Sequence, residues 1–416
     1  MQKSAIFFES QGAVPDKAVL LISLDWTRDK DPRVPLGHAS LLTSLQGMEG
    51  LDVTGLSYAM NRPGFAADEV VSDILRWVNV HPGVELNVAL GVYIWNDIHV
   101  RYIIEELQEH QAPVRLVLGG PQISYTGSGL EELYPGVDVF IRGYGEEALR
   151  AVLTGGNAPG VHRAGSHDLA QQAVVDFERL PSPFLQGIVD VTQGQRFIRW
   201  ETRRGCSFRC SFCQHREAGK RLRKRELGIH RLRDELRLFA SHDVGDIAVL
   251  DPIFNHGEHY LDLLEELIRL DYQGRLSLQC RFEWVTEEFL DLCAQLNAQL
   301  EFGLQTIHRS EGKAVRRVNH MDRVQWAMAE LHRREIFFEV SLIFGLPEQT
   351  IQSFRESVDY CLRQRVPTIK AFPLMLLRGT ELDKERERWS LRESEHAIPM
   401  VIGSSSFDEY DWQRMA

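Results

Sequence analysis

A chain of 416 residues has room for two or three domains, each with a core of its own, which excludes a single small module. At 44% hydrophobic and 25% charged residues it has the balance of a globular protein, and no segment stays apolar over the ~18 residues that a bilayer span requires. A formal charge of −12 argues against a long nucleic acid as the main partner, because phosphate binding draws on clustered Lys and Arg.

The N-terminal stretch MQKSAIFFESQGAVPDK has no basic region followed by a long apolar run, and three of the six cysteines fall between positions 206 and 213. These features predict a cytoplasmic protein in a reducing compartment, with a metal or redox site instead of a disulfide framework. From Ala18 to about Leu153, short apolar runs alternate with amphipathic stretches, the pattern of a parallel sheet covered by helices. Strands are predicted at Ala18–Asp25, Asp52–Tyr58, Asn87–Trp95, Val114–Leu118 and Val137–Ile141. Ligands of such a sheet sit beyond the carboxyl ends of its strands. There the loops carry Gly119, Gly120, Gly143 and Gly145, which serve either tight turns or the close approach of a bulky cofactor.

From Thr154 to about Gln195 periodicity is lost among TGGNAPG, LPSPF and TQGQ, which predicts a linker. The expected organisation is a domain over 1–155, a linker over 156–195, a second domain over 196–382 and a short C-terminal extension over 383–416. In the second domain, strands are predicted at Phe197–Thr202, Asp246–Leu250, Arg275–Cys280, Gln299–Gly303, Phe337–Ile343 and Ile369–Pro373. Six strands separated by helical stretches suit a partial (β/α)6 barrel with its active site at the carboxyl ends. The basic run from Arg216 to Glu235 reads either as a solvated helix face or as a docking site for an anionic substrate or electron donor.

Directly after the first barrel strand, ETRRGCSFRCSFCQH places Cys206, Cys210 and Cys213 in a Cys-x3-Cys-x2-Cys array. Three thiolates on a 4Fe-4S cube leave one iron open to chelate the amino and carboxylate groups of S-adenosylmethionine (SAM). Zinc with His215 as fourth ligand is cramped, and a dithiol at Cys210 and Cys213 leaves Cys206 unexplained. Cys280, Cys293 and Cys361 are scattered on apolar faces and read as core residues.

With this cysteine motif, together with LDPIFN (250–255), EFGLQT (301–306) and SLIFGLPEQT (341–350), the chain resembles the radical SAM superfamily over roughly residues 18–382. VYIWN (92–96), LGGPQISY (118–125) and DVFIRGYGEE (138–147) resemble a largely uncharacterised branch of its cobalamin-binding members. The resemblance implies an α/β architecture, an N-terminal Rossmann-like cobalamin-binding domain followed by the partial radical SAM barrel. The implied cofactors are a 4Fe-4S cluster on Cys206, Cys210 and Cys213, SAM and cobalamin.

The resemblance also implies roles for individual residues. Phe212 lies near the adenine, Asp251 at the SAM ammonium, Glu283 and Gln305 at its amino-acid portion and ribose, and Ile343, Gly345 and Pro347 beside the adenine. Cobalamin lies by Gly119, Gly120 and Gly143, with Tyr93, Trp95 or Asn96 beneath the corrin. Each has a bland counterpart, such as Asp251 capping a turn before Pro252. Asp97-Ile98-His99 lacks the glycine of a cobalt-binding motif, so His99 reads as an ordinary helix residue.

The implied activity is methylation of an unactivated carbon in a small-molecule or peptide substrate, with a flavodoxin- or ferredoxin-type electron donor. Radical rearrangement, oxidation or cyclisation would need the same cofactor shell, and a non-catalytic cobalamin or iron–sulfur sensor is a third class.

Overall fold

The computed structural model describes residues 3–8, 15–215, 225–396 and 398–416. The chain divides into two compact units, Met1–Val191 and Thr192–Ala416. In the first, the described residues form β1 (Lys3–Phe8), β2 (Lys17–Asp25), β3 (Leu51–Ala59), β4 (Glu85–Gly91), β5 (Arg115–Gly119), β6 (Val139–Ile141) and β7 (Val161–Arg163). Their order is β1-β3-β2-β4-β5-β6-β7, parallel from β3 to β6, with β1 and β7 added antiparallel at the edges.

Residues 18–22 of β2 are all buried, as expected of a strand covered by helices on both faces. One covering layer is built from the amphipathic helices Ala67–Asn79 and Asp97–Glu109, which bury Val70, Ile74, Val100 and Ile103. The order in which strands are added reverses between β2 and β4, which defines a ligand crevice at their carboxyl ends.

Two expectations change here. The stretch 156–195 contains β7 and buries Val175, Phe177, Leu180, Phe184, Ile188 and Val191, so most of it is packed into the first unit. Its apolar residues lack helix or strand spacing, which hides this packing from periodicity. The strand predicted to reach Trp95 ends at Gly91, because the chain turns there toward the crevice.

In the second unit β8 (Phe197–Trp200) leads into the short pair β9 (Arg203–Arg204) and β10 (Arg225–Glu226). Then come β11 (Asp246–Val249), β12 (Arg275–Cys280), β13 (Asn297–Gln305), β14 (Phe337–Phe344) and β15 (Thr368–Pro373). They form a parallel sheet in the order β15-β14-β13-β12-β11-β8, the partial barrel expected. Burial along β13 alternates, with Leu300, Phe302 and Leu304 on the buried face and Gln299, Glu301 and Gln305 on the other. Among the described residues β16 (Arg392–Glu393), β17 (Val401–Gly403) and the helix Glu409–Met415 complete the chain. No helix of the described residues is long and apolar enough to cross a membrane.

Candidate functional site

Beyond β8 the cysteine loop is held from several sides. Ser211 donates its backbone N–H to Val315 O at 3.0 Å and accepts from Leu382 N at 2.9 Å, while Gln214 Nε2 reaches Arg378 O at 2.8 Å. The RGTEL segment thus braces the loop. Cys206, Cys210 and Cys213 are free thiols of intermediate exposure. Burial raises the Cys206 thiol and pushes Cys213 up to about 12, so binding iron must displace protons. The backbone N–H of His215 points at Cys213 Sγ at 3.4 Å, a contact of the kind that tunes cluster sulfurs. The His215 side chain is exposed. Among the described residues no three His, Cys, Asp or Glu side chains converge tightly enough for one metal ion. A cube offers each thiolate a different iron, and three half-buried thiols in one braced loop fit it.

The strand ends next to this loop carry polar atoms that the protein leaves unmatched. Glu283 Oε1, Gln305 Oε1 and Arg317 Nε are buried without a hydrogen-bond partner. Gln305 sits at a register shift in β13 with φ +67°, an uncommon conformation outside glycine, so the backbone is held out of its usual range to aim this side chain. Arg317, 8% exposed, donates to Gly303 O and lies 4.0 Å from Cys210 Sγ. Burial would raise the Glu283 carboxyl, but the Arg281 guanidinium, 3.1 Å away, holds it below the usual range. An acid, an amide and a guanidinium with unspent bonding capacity suit the polar ends of SAM. Arg317 escaped sequence reasoning because no local motif marks it, and only the fold brings it to Cys210.

Asp251 is tied to the start of the cysteine loop. It is 1% exposed, and its Oδ1 accepts from Thr202 N at 2.8 Å and Arg203 N at 3.3 Å while Oδ2 accepts from the Thr202 hydroxyl. Both oxygens are engaged at the start of the cysteine loop, so Asp251 positions that loop. Burial pushes its carboxyl up to about 6. Asn255 acts similarly, clasping the backbone N–H and C=O of Arg281 at 3.0 and 2.9 Å.

On β14, Ile343 is half-buried and Gly345 and Pro347 are buried. A Cβ on Gly345 would stand 3.0 Å from Val401 O, so the C-terminal segment seats directly on this motif. Gln349 holds the turn by accepting from Gly345 N at 2.7 Å and donating to Ile343 O at 3.0 Å. Phe212 is half-buried in the cysteine loop.

In the first unit Tyr93, Trp95 and Asn96 gather at the crevice. The Tyr93 and Trp95 rings stack at 4.5 Å and 12°. Asn96 is fully buried, its Oδ1 accepting from Tyr93 N and its Nδ2 donating to Leu24 O and Gly91 O. Its amide thus joins the ends of β2 and β4. Gly120 and Gly143 also have structural reasons. At φ +96° and +82°, a Cβ would fall 2.7 Å from Val92 O and 2.5 Å from Ala173 O, so neighbouring backbone supplies the close approach. At Gly119 a Cβ would meet Ile141 O at an ordinary 3.7 Å. His99 packs edge-on against Phe65 at 5.4 Å, as an ordinary helix residue does. Of the basic run, residues 216–224 lie outside the described residues. The remainder comprises β10 and the start of the helix Ile229–Ser241, where Arg231 pairs with buried Glu235 at 2.9 Å.

A three-cysteine loop follows the first strand of a six-stranded parallel sheet, and a doubly wound α/β unit precedes it in the sequence. Residues 200–361 match the radical SAM superfamily model and residues 32–153 the B12 binding domain model. The chain therefore carries a B12-binding domain and a radical SAM domain, a pair that implies a 4Fe-4S cluster, SAM and cobalamin as cofactors.

It is 29% identical over 304 residues to the cobalamin-dependent radical SAM methyltransferase TokK of Streptomyces tokunonensis, covering 66% of this chain and 44% of that protein. It is 26% identical over 389 residues to the 2-(S-pantetheinyl)-carbapenam-3-carboxylate methyltransferase of Streptantibioticus cattleyicolor, covering 86% of this chain and 53% of that one. The chain thus spans about half the length of these relatives. The fold is shared with the methyltransferase TsrM of Kitasatospora setae, at a TM-score of 0.72 and 19% identity over 96% of this chain and 83% of that one.

Proposed function

We propose that this chain is a cobalamin-dependent radical SAM methyltransferase acting on an unactivated carbon of a small-molecule or peptide substrate. The observation that carries the reading is one chain joining a braced Cys-x3-Cys-x2-Cys loop to a B12-binding unit, as in relatives named as methyltransferases. When bound, the cluster supplies the electron that cleaves SAM, and cobalamin serves as the methyl carrier. The chain's own residues bind and orient. Glu283, Gln305 and Arg317 take the polar ends of SAM, Ile343 and Pro347 wall its adenine, Asp251 keeps the cysteine loop in register and Asn255 fixes the backbone of Arg281. The stacked Tyr93 and Trp95 pair supports the lower face of the corrin.

The polar face of the barrel sheet receives the substrate. Its described residues include Glu301, bonded by the Ser341 hydroxyl at 3.0 Å, and Glu339, bonded by Gln299 at 2.7 Å and ion-paired with Lys370. The enzyme works in the reducing cytoplasm and draws its electron from a flavodoxin- or ferredoxin-type donor.

The test is anaerobic reconstitution with iron, sulfide, cobalamin, SAM and reductant, followed by mass spectrometry against carbapenam and tryptophan-type substrates. Methylated product accompanied by 5'-deoxyadenosine and S-adenosylhomocysteine is expected. Deoxyadenosine with a rearranged, oxidised or cyclised product, and no methyl gained, would overturn it.

A further inference from the structure

Two buried guanidiniums lie against the cysteine loop outside the SAM contacts described above. Arg281 is 6% exposed, and its Cζ stands 4.2 Å from the ring centroid of Phe208, which lies between Cys206 and Cys210. Its backbone is clasped by Asn255, and its Nε donates to Glu283 at 3.1 Å. Arg203 is 4% exposed and donates from Nη1 to His256 O at 2.9 Å. Its Nε is buried without a hydrogen-bond partner, 3.8 Å from the Asp251 carboxylate. Both cations are fixed by these contacts, Arg281 on the ring of Phe208 within the cysteine loop and Arg203 at the loop's start.

Fixed charge of this kind matters when an electron arrives. Reducing a cluster held by three thiolates takes one electron from an external donor and leaves that donor oxidised by one electron. No bond forms or breaks and no proton moves. The cluster gains one negative charge in surroundings of low dielectric, where a fixed cation stabilises the reduced form more than the oxidised one. We propose that Arg281, supported by Arg203, is an electrostatic positioning residue that raises the reduction potential of the cluster, so that a one-electron donor can reduce it. The proposal rests on the cluster-binding reading and is independent of methyl transfer.

The experiment is a potentiometric titration of the reconstituted full chain with dithionite and mediators, in the absence of SAM, followed by the electron paramagnetic resonance of the reduced cluster. Arg281→Gln should lower the midpoint by about tenfold in the reduction equilibrium, or about 59 mV for one electron. Arg281→Lys, which keeps the charge without the planar stack, should retain most of the native midpoint. Glu283→Gln removes the carboxylate that offsets Arg281 and should move the midpoint the opposite way, a sign reversal that mere loosening of the loop would not produce. An unchanged midpoint in Arg281→Gln at full iron content overturns the proposal, as do shifts of the same sign in Arg281→Gln and Glu283→Gln. If Arg281→Gln does not hold iron, Glu283→Gln decides alone, and a midpoint that fails to rise is fatal. Failure of the native chain to form any cluster would instead strike the cofactor reading.

Discussion

Replacing Asp251 by Asn should abolish a pH dependence of stability that the buried carboxylate imposes on the cysteine loop. Asp251 is 1% exposed, and burial lifts its carboxyl from 3.8 to about 6. The stability contributed by a group whose folded pKa is raised is fully present below the unfolded pKa and lost as pH rises through the folded one. A rise of roughly two units corresponds to about 3 kcal/mol in all, of which about 1.4 kcal/mol falls between about pH 5 and pH 7.5. The Asn variant keeps an acceptor for Thr202 N and Arg203 N and has no charge to titrate. The stability difference between the native chain and Asp251→Asn should therefore move by about 1.4 kcal/mol in favour of the native chain as pH falls across that window. Equilibrium urea unfolding of both apoproteins at several pH values measures it. Parallel profiles for the two proteins would refute the reasoning.

Alanine at Cys206, Cys210 or Cys213 should each reduce bound iron after reconstitution by at least about tenfold, read by iron analysis, with unchanged far-ultraviolet circular dichroism. Gln305→Ala should weaken SAM binding by about tenfold while iron content stays at the native level, read by equilibrium dialysis, because it removes an unmatched acceptor without breaking an internal bond. Gly120→Ala should destabilise the first unit by about 1–3 kcal/mol and lower cobalamin retention, read by thermal shift and the visible spectrum, since the added Cβ would stand 2.7 Å from Val92 O.

Long parallel strands were the most legible part of the fold. The run from Val19 to Leu24 is apolar at every position but Ser23, and only a strand covered on both faces needs that. Edge elements were not legible. Strand β1 borrows its order from an antiparallel partner, β3, and strands β7, β16 and β17 have two or three residues each, too few for a period to show. At the site, the cysteines were readable because their spacing has few other uses. Asp251 and Asn96 were readable as polar residues at strand ends, but their bonds to neighbouring backbone were not, because a carboxylate facing a ligand and one facing its own backbone leave the same trace in a sequence. At Gly120 and Gly143 the structure adds the close backbone of Val92 and Ala173, which no spacing announces. Arg317 becomes visible only when the bulge in β13 brings Gly303 and Cys210 to it.

The seating of Val401 on Gly345 bears on how the barrel can be cut from the chain. A fragment ended at Leu382, where the last recognisable motif stops, would strip the carbonyl and the Phe407 ring from behind the glycine turn and leave Leu374 O without its bond from Val401 N. The support of this glycine turn is therefore built from both sides of the motif boundary, and the smallest autonomous barrel includes the residues that follow it.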